Sequence, residues 1–257
     1  MNRLKNKWAL ITGASSGIGQ AVAMKLAEYD VNLILAARRV ELMRQTAEKL
    51  ENDYGIKIAV YELDVRDRQK VAEFGEALKK DGLVPDILIN NAGLSAGKDR
   101  IHEANIDDWE LMIDTNLNGL LYVSRAVIPM MVERNAGHII NLGSIAGEQV
   151  YQGGSVYNAT KFGVKALSQA MNIDLAQTNI RICNIEPGAV NTEFSLVRFK
   201  GDKDKADSTY EGFRPLTAID IADTIVYVLN LPEYVNVQRL LVTPTAQRTV
   251  DIFNRVK

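Results

Sequence analysis

Short apolar segments alternate with longer amphipathic segments along almost all of this 257-residue chain. The apolar segments have the length of strands, and the amphipathic ones repeat their apolar residues with the spacing of a helix. Strands that are apolar on both faces are typical of parallel sheets covered by helices on each side. The sequence therefore predicts an α/β fold, in which one doubly wound parallel sheet of about seven strands has helices on both faces.

The predicted elements follow one another regularly, and nothing divides them. No repeat, low-complexity tract or Pro/Gly-rich linker interrupts the chain, so residues 1–257 are expected to form one domain. The polar stretch 195–215 is the one long segment predicted to be irregular. It is either a solvated insertion or part of a substrate lid over about 190–215, because long loops in compact domains are often functional. The predicted strands are 8–13, 31–38, 58–65, 86–93, 137–144, 180–188 and 238–245, and the predicted helices are 18–30, 40–55, 67–80, 107–133, 155–177 and 218–232.

Composition argues against several classes of function. The formal net charge is −2, so no basic field favours nucleic acid or an anionic membrane surface. No uncharged apolar segment reaches the length of about 18 residues that a transmembrane helix needs. The apolar part of the first 14 residues is too short for a signal peptide. We expect a cytoplasmic protein with a small-molecule partner.

Cysteine and histidine chemistry is not indicated. The single cysteine, Cys183, lies in the apolar run "IRICNI" and is expected to be a core thiol. His102 and His138 are far apart and lack the spacing of metal ligands. The sequence therefore predicts no metal site.

The stretch "TGASSGIG" (12–19) follows the first predicted strand and opens the first predicted helix. Glycines permit a tight turn and close approach of the backbone to a ligand, and free amides at the start of a helix attract phosphate. The position of this turn in a strand–helix alternation predicts a dinucleotide site. Its predicted binding residues are Gly13, Ser15, Ser16, Gly17, Ile18 and Gly19.

The end of the second predicted strand indicates which dinucleotide binds. An acidic residue there would hydrogen-bond the adenosine ribose of NAD, whereas an arginine accommodates the 2′-phosphate of NADP. Here Ala36 and Ala37 stand where an acid is expected, and Arg38 and Arg39 follow. A basic pair at a strand end could also simply face solvent. With no competing acid, the sequence favours NADP.

Tyr157 and Lys161 in "VYNATK" are four residues apart, so a helix would place them on one face. They are either a surface pair or an acid–base centre.

The chain resembles the short-chain dehydrogenase/reductase family, whose fold is a single doubly wound Rossmann domain. The matching motifs occur in the family's order and spacing over almost the whole chain. They are "TGASSGIG" (12–19), "LDV" (63–65), "NNAG" (90–93), "TNLNG" (115–119), "GSIAG" (143–147), "YNATK" (157–161) and "PGAVNTEF" (187–194).

The resemblance implies roles for individual residues. Tyr157 would be the catalytic acid/base, Lys161 its partner, and Ser144 the hydrogen-bond donor to the reacting carbonyl. Asn116 would hold a water in a proton relay through Lys161 and the cofactor ribose. Asp64 and Val65 would bracket the adenine, Asn91, Ala92 and Gly93 would lie along the cofactor, and the segment with Pro187, Gly188, Val190 and Thr192 would contact its nicotinamide end.

A free tyrosine has a pKa near ~10, which is too high for an efficient acid/base at neutral pH. Lowering that pKa to about 7 takes about 4 kcal/mol, which an ammonium about 4 Å away supplies at an effective dielectric near ~20. We therefore expect Lys161 to lower the pKa of Tyr157, while Ser144 stabilises negative charge on the substrate oxygen.

Within the family, the stretches 113–141, 185–202 and 234–247 are similar to the NADP-dependent 3-hydroxy acid dehydrogenases. Members of that branch oxidise serine, L-allo-threonine and short 3-hydroxy acids such as 3-hydroxypropionate, and reduce 3-oxo acids such as malonic semialdehyde. A small carboxylate needs a cation or amides near the site. Arg198 is the preferred candidate, and the others are Lys200, Gln149 and Arg100.

Other functions stay open on the sequence alone. They are a broad-specificity NADPH-dependent carbonyl reductase, a 3-oxoacyl reductase and, as a different class, a non-catalytic NADP-binding sensor. The resemblance also implies a homotetramer assembled through the predicted helices at 107–133 and 155–177.

Overall fold

The computed structural model describes Met1–Val256, in which seven parallel strands form one sheet and two short strands form a separate ribbon. Along the sheet the strands stand in the order β3-β2-β1-β4-β5-β6-β9, and β7 pairs with β8. The strands are β1 (Trp8–Thr12), β2 (Asn32–Ala37), β3 (Ile58–Glu62), β4 (Ile87–Asn90), β5 (Gly137–Leu142), β6 (Ile180–Pro187), β7 (Val190–Asn191), β8 (Leu216–Thr217) and β9 (Arg239–Val242).

The helices connect these strands, and polar residues mark several of their ends. Asp67 accepts hydrogen bonds from the amides of Gln69 and Lys70 at the start of the third helix, and Gly55 ends the second helix with a φ of 67°. The helices are α1 (Gly17–Ala27), α2 (Val40–Tyr54), α3 (Arg68–Lys80), α4 (Ile106–Ile113), α5 (Gly119–Glu133), α6 (Ser155–Asp174), α7 (Glu193–Arg198), α8 (Lys203–Ser208) and α9 (Ala218–Leu229).

Two hydrophobic cores lie on opposite faces of the sheet. Ala9 and Ile11 of β1 belong to the core that includes α1, α2 and α9, whereas Leu10 belongs to the core that includes α3 and α5. Side chains alternate between the faces of a strand, so a run of apolar residues supplies both cores. The predicted α/β fold with a parallel sheet of about seven strands and helices on both faces is confirmed.

Two predicted elements differ from those in the structure. The helix expected over 107–133 is interrupted by one turn of π-helix at Asp114–Asn118. The stretch expected to be irregular, 195–215, contains most of α7 and all of α8. Their polar composition hides the pattern of a helix, but Thr192 accepts a hydrogen bond from the Phe194 amide and Asp202 accepts one from the Lys205 amide, as N-caps do.

Among the helices of Met1–Val256, none combines the length and the apolar character needed to cross a bilayer.

The strand order reverses between the central strands β1 and β4. From β1 the sheet continues outward to β2 and β3, and from β4 it continues in the opposite direction to β5, β6 and β9. In open parallel sheets, ligands bind in the crevice outside the carboxyl ends of the strands at such a point. The glycine turn after β1 and the "NNAG" motif after β4 flank this crevice.

Candidate active site

One large cavity of about 830 Å³ lies at the carboxyl ends of the central strands. Most of the residues that the sequence singled out line it, although they come from motifs far apart in the chain. Gly19, Asn116 and Gln149 do not line it. Those that do are Gly13, Ser15, Ser16, Gly17, Ile18, Arg38, Arg39, Asp64, Val65, Asn91, Ala92, Gly93, Ser144, Tyr157, Lys161, Pro187, Gly188, Val190, Thr192 and Arg198.

The glycine turn leaves helix amides available for an anion. Gly13 and Gly17 have φ values of 65° and 57°, which other residues rarely adopt. A Cβ on Gly19 would lie 2.5 Å from the Gly13 carbonyl oxygen, so this glycine serves the close packing of the turn. The Ser16 side chain does not cap α1, and the first turn of α1 carries no acid. These features fit the pyrophosphate of a dinucleotide.

Arginines gather where β2 and β3 end. Arg38, Arg39 and Arg66 all line the cavity. Arg66 donates to Asp64 over 2.9 Å from its Nε, and this hydrogen bond holds the pKa of the Asp64 carboxyl below its ordinary value. Sequence reasoning missed Arg66, which follows the "LDV" motif directly. The donor set suits an adenosine that carries a 2′-phosphate.

Tyr157 and Lys161 lie one turn apart on α6, and both are buried at 6% and 7% exposure. The Lys161 Nζ lies 5.8 Å from the centroid of the Tyr157 ring and donates to the Leu142 carbonyl oxygen over 2.8 Å. The Ser144 hydroxyl accepts from the Ala146 amide over 3.1 Å, and it lies near enough to the Tyr157 phenol to act on its pKa. The structure thus brings Ser144, Tyr157 and Lys161 together in one corner of the cavity.

The expected lowering of the Tyr157 pKa by Lys161 is wrong for this structure. Burial raises the pKa of the Tyr157 phenol to about 12, although the Arg198 guanidinium and the Ser144 hydroxyl act in the lowering direction. Burial also lowers the pKa of Lys161 to about 8. The physical reason is that the phenol packs against Phe194, with ring centroids 5.6 Å apart, while the ammonium is directed at the Leu142 carbonyl.

Asn116 lies in the π-helical turn, behind the cavity wall. Its Oδ1 accepts from the Leu94 amide over 2.9 Å, and its Nδ2 donates to the Leu94 carbonyl over 2.8 Å and to the Thr160 hydroxyl over 3.1 Å. A Cβ on Gly93 would lie 3.2 Å from the Asn116 Oδ1 and 3.6 Å from the Lys161 Nζ. The Asn116 side chain therefore fixes the "NNAG" loop beside Lys161.

Arg198 reaches the corner with Ser144, Tyr157 and Lys161 from the end of α7. Its guanidinium carbon lies 5.0 Å from the centroid of the Phe194 ring, 5.2 Å from that of Tyr157 and 5.8 Å from that of Tyr151. Among the residues that the structure describes, no acceptor lies within hydrogen-bond distance of its buried Nε. The guanidinium is thus held by aromatic faces, with a donor left for a ligand.

The other candidates for a substrate carboxylate lie elsewhere. Lys200 forms an ion pair with Asp108 at 2.8 Å, and Arg100 is exposed and outside the cavity wall. Gln149 accepts from the Val250 amide over 2.9 Å. Sequence reasoning assigned no role to several further wall residues, among them Lys98, Tyr151, Phe194, Tyr210, Gln247, Phe253 and Arg255.

A charge network centred on the buried Glu186 lies beside the Ser144 turn. Glu186 on β6 is fully buried, and burial raises the pKa of its carboxyl. The Arg239 Nε lies 2.6 Å from Glu186, and the Arg239 Nη2 lies 2.6 Å from Glu148, which follows the Ser144 turn. Lys165 on α6 completes the network, 2.5 Å from Glu148. These pairs join β6, β9 and α6 beside the Ser144 turn.

The arrangement agrees with what comparisons of sequence and structure find. The model of the family described as short chain dehydrogenase matches residues 7–202. The chain is 45% identical over 248 residues to the NADP-dependent 3-hydroxy acid dehydrogenase of Schizosaccharomyces pombe, with 96% of each chain covered. It is 43% identical over 239 residues to the NADP-dependent 3-hydroxy acid dehydrogenase YdfG of Escherichia coli K12, with 93% of this chain and 95% of the relative covered.

A solved structure is similar to this chain over almost its whole length. The closed form of serine dehydrogenase complexed with NADP⁺ superposes with a TM-score of 0.88 at 41% identity, covering 97% of this chain and 100% of the other. The family model covers well over half of the chain, and the relatives span almost all of it. The chain therefore belongs to the short chain dehydrogenase family.

Proposed function

We propose that this protein is an NADP-dependent oxidoreductase that transfers a hydride to or from the hydroxyl-bearing carbon of short 3-hydroxy acids. Serine, L-allo-threonine and 3-hydroxypropionate are the expected type of substrate, with malonic semialdehyde as the corresponding 3-oxo acid. One observation carries the proposal. One cavity is lined both by Ser144, Tyr157 and Lys161 and by Arg38 and Arg39, which follow β2.

The cavity wall supports NADP as the cofactor. The uncapped first turn of α1 would bind the pyrophosphate, and Arg38 and Arg39 would bind the 2′-phosphate. Asp64 and Val65 would flank the adenine, while Asn91, Ala92, Gly93 and the segment 187–192 would line the rest of the cofactor. When NADP is bound, its nicotinamide accepts or supplies the hydride. The relatives from S. pombe and E. coli are both named as NADP-dependent.

Tyr157 would move the proton while the hydride is transferred. In oxidation, the substrate hydroxyl gives its proton to the ionised Tyr157 oxygen, and in reduction the phenol returns it to the carbonyl oxygen. Ser144 would hydrogen-bond the same substrate oxygen and orient it. Lys161, whose ammonium donates to the Leu142 carbonyl over 2.8 Å, would join the phenol to the proton relay through the cofactor ribose. Asn116 would act through the loop that it holds beside Lys161, as part of the proton relay.

Arg198 would bind the carboxylate of the substrate. Its guanidinium already lies 5.2 Å from the Tyr157 ring, so an acid bound there would have its hydroxyl end close to the phenol. Charge-assisted hydrogen bonds between arginine and carboxylate are among the stronger polar contacts in proteins. The relative from S. pombe is named for 3-hydroxy acids, whose carboxylate needs such a partner.

Replacing Arg198 with leucine should raise the KM for 3-hydroxypropionate by about 10- to 100-fold, because a charge-assisted hydrogen bond contributes about 1.5–3 kcal/mol. Steady-state kinetics with 3-hydroxypropionate and with a neutral secondary alcohol would measure it. The alcohol lacks the carboxylate, so its kcat/KM should change by less than about threefold. Lys200→Met removes a nearby cation that lies outside the cavity and is the matched control. Equal losses with both substrates would contradict carboxylate binding by Arg198.

The function is tested by following absorbance at 340 nm, the band of the reduced nicotinamide, with NADP and NAD in parallel. The panel is L-serine, L-allo-threonine, L-threonine, 3-hydroxypropionate, 3-hydroxybutyrate and an aliphatic secondary alcohol. Turnover of the 3-hydroxy acids with NADP is the expected result. Turnover of the alcohol alone would support the proposed hydride transfer but contradict 3-hydroxy acids as the substrates. NADP binding without any turnover would favour a sensor.

A broad-specificity carbonyl reductase is the second candidate, because Tyr151, Phe194 and Phe253 add aromatic surface to the cavity wall. Ketones without a carboxylate would then react as fast as 3-oxo acids. A 3-oxoacyl reductase would instead turn over thioesters.

We also propose a homotetramer that assembles through α5 and α6. Leu121, Phe162 and Ile173 on these helices are 40%, 40% and 74% exposed, which leaves apolar surface for another subunit. Light scattering coupled to size-exclusion chromatography would measure the mass of the assembly. The cytoplasmic location stays a prediction of the sequence.

A further inference from the structure

Glu193 forms an ion pair with Arg39 across the mouth of the cavity. Its Oε2 lies 3.0 Å from the Arg39 Nη2, although the two residues are 154 positions apart in the chain. The Ser16 hydroxyl also lies near enough to the Glu193 carboxylate to act on its pKa. These two contacts hold the pKa of the Glu193 carboxyl below its ordinary value. The first residue of α7 is thereby tied to the glycine turn and to the arginine that follows β2.

The Arg39 donors that Glu193 uses are those that best suit a phosphate. Arginine binds phosphate in a bidentate manner through two parallel N–H groups. The Arg39 Nε donates to the Ser15 hydroxyl over 3.2 Å, and its Nη2 donates to Ser16 and to Glu193. The Nε and Nη2 edge of Arg39 is therefore taken by two hydroxyls and one carboxylate.

We infer that Glu193 is an internal anion that occupies the phosphate position on Arg39. The 2′-phosphate of NADP must displace the Glu193 carboxylate before it can bind Arg39. This inference rests on the proposed NADP dependence and adds a residue that sets cofactor preference. Glu193 would make binding of the phosphorylated cofactor weaker than the arginines alone would allow.

The difference in charge between the 2′-phosphate and the Glu193 carboxylate determines which of them binds Arg39. A phosphate monoester carries about −1.5 to −2 charges at neutral pH and offers three acceptor oxygens, whereas the carboxylate carries one charge. The side chains of Arg39 and Glu193 are 48% and 54% exposed, so water screens their ion pair and makes it weak. Two anions on one guanidinium edge also repel each other. The phosphate therefore displaces the carboxylate, and the displacement lowers the net affinity for NADP.

NAD leaves the pair of Glu193 and Arg39 in place, because its ribose carries a 2′-hydroxyl instead of a phosphate. A carboxylate at this position can accept a hydrogen bond from that hydroxyl, as acidic residues do in NAD-binding folds. Glu193 thus lowers the affinity for NADP without lowering the affinity for NAD. Its removal should increase the preference for NADP over NAD.

The test is calorimetric titration of NADP⁺, NAD⁺ and 2′,5′-ADP into the wild type and Glu193→Gln. The variant should bind NADP⁺ and 2′,5′-ADP about three- to tenfold more tightly, since a repulsion and a competing ion pair are removed. Its affinity for NAD⁺ should stay the same or fall. Asp204→Asn, which removes one charge from the same polar segment outside the cavity wall, is the matched control and should change none of the three affinities.

Arg39→Ala provides the second arm of the experiment. The gain from Glu193→Gln should disappear in the Arg39→Ala background, because it acts through that arginine. Unchanged or weaker NADP⁺ binding by Glu193→Gln, or a gain that persists without Arg39, would overturn the inference. Equal affinities of the wild type for NADP⁺ and NAD⁺ would instead show that the proposed cofactor is wrong. Both side chains are half exposed, so these variants should keep the fold.

Discussion

Tyr157→Phe should reduce kcat/KM for 3-hydroxy acids by about 10²- to 10⁴-fold, the usual contribution of a general acid or base. The substitution removes the oxygen that is proposed to exchange a proton with the substrate hydroxyl. It keeps the ring, which is 6% exposed and packs against Phe194 with centroids 5.6 Å apart. NADP affinity should therefore change by less than about threefold. Steady-state rates at 340 nm, together with calorimetric titration of NADP⁺, measure both quantities.

Tyr151→Phe is the matched control for this prediction. Tyr151 lines the same cavity, and its ring also lies beside the Arg198 guanidinium, 5.8 Å from its centre. Losing the Tyr151 hydroxyl should cost less than about tenfold in kcat/KM, because no proton transfer is assigned to it. If both variants lost activity equally, or if Tyr157→Phe kept more than about a tenth of the wild-type rate, the role of Tyr157 would be refuted.

The fold could be predicted because burial on both faces of the sheet is visible in the sequence. Ala9, Leu10 and Ile11 are all fully buried, as expected for a strand that has helices on both sides. Strand ends were less well predicted. Leu63 and Val65 are as buried as strand residues, at 2% and 7% exposure, but they lie beyond the end of β3 and line the crevice. Their apolar character reflects packing in the core with α3 and α5 and in the cavity wall, and not strand pairing in the sheet.

The corner with Ser144, Tyr157 and Lys161 could be predicted because the segments that form it follow parallel strands, whose carboxyl ends meet at one edge of the sheet. Ser144 follows β5 and Pro187 ends β6, so the sheet brings them together without any signal in the local sequence. The Ser144 hydroxyl lies 3.5 Å from the Pro187 carbonyl oxygen. The same reasoning accounts for the arginines that follow β2 and for Arg66 beyond β3.

The contacts of the segment after β7 could not be predicted in this way. The pairing of Glu193 with Arg39 depends on where α7 lies, and the polar residues of this segment do not specify its position. The pKa of Tyr157 shows the same limit. Spacing placed Lys161 on the correct helix face, but the surrounding aromatic rings and the Leu142 carbonyl decide the electrostatics.

Arg239→Met should lower the free energy of unfolding by about 2–4 kcal/mol at pH 8, because it leaves a buried carboxylate without its cation. Glu186 is fully buried and lies 2.6 Å from the Arg239 Nε. The expected loss lies toward the lower end for a buried pair because the Arg239 side chain is 40% exposed. Glu148 keeps Lys165 as a partner at 2.5 Å. Urea unfolding followed by circular dichroism measures the loss.

The pH dependence of this loss identifies its cause. Burial already raises the pKa of Glu186, and removal of Arg239 raises it further above the value in the unfolded chain. A carboxyl whose folded pKa is raised binds a proton more tightly in the folded state, so the variant loses stability as the pH rises from the unfolded pKa to the folded one. The difference from the wild type should therefore be smaller at pH 5.5 than at pH 8.

Arg214→Met, at an exposed arginine, should change stability by less than about 0.5 kcal/mol at either pH. A loss at Arg239 that matched this control, or that stayed the same at both pH values, would mean that Glu186 does not depend on Arg239 for its charge.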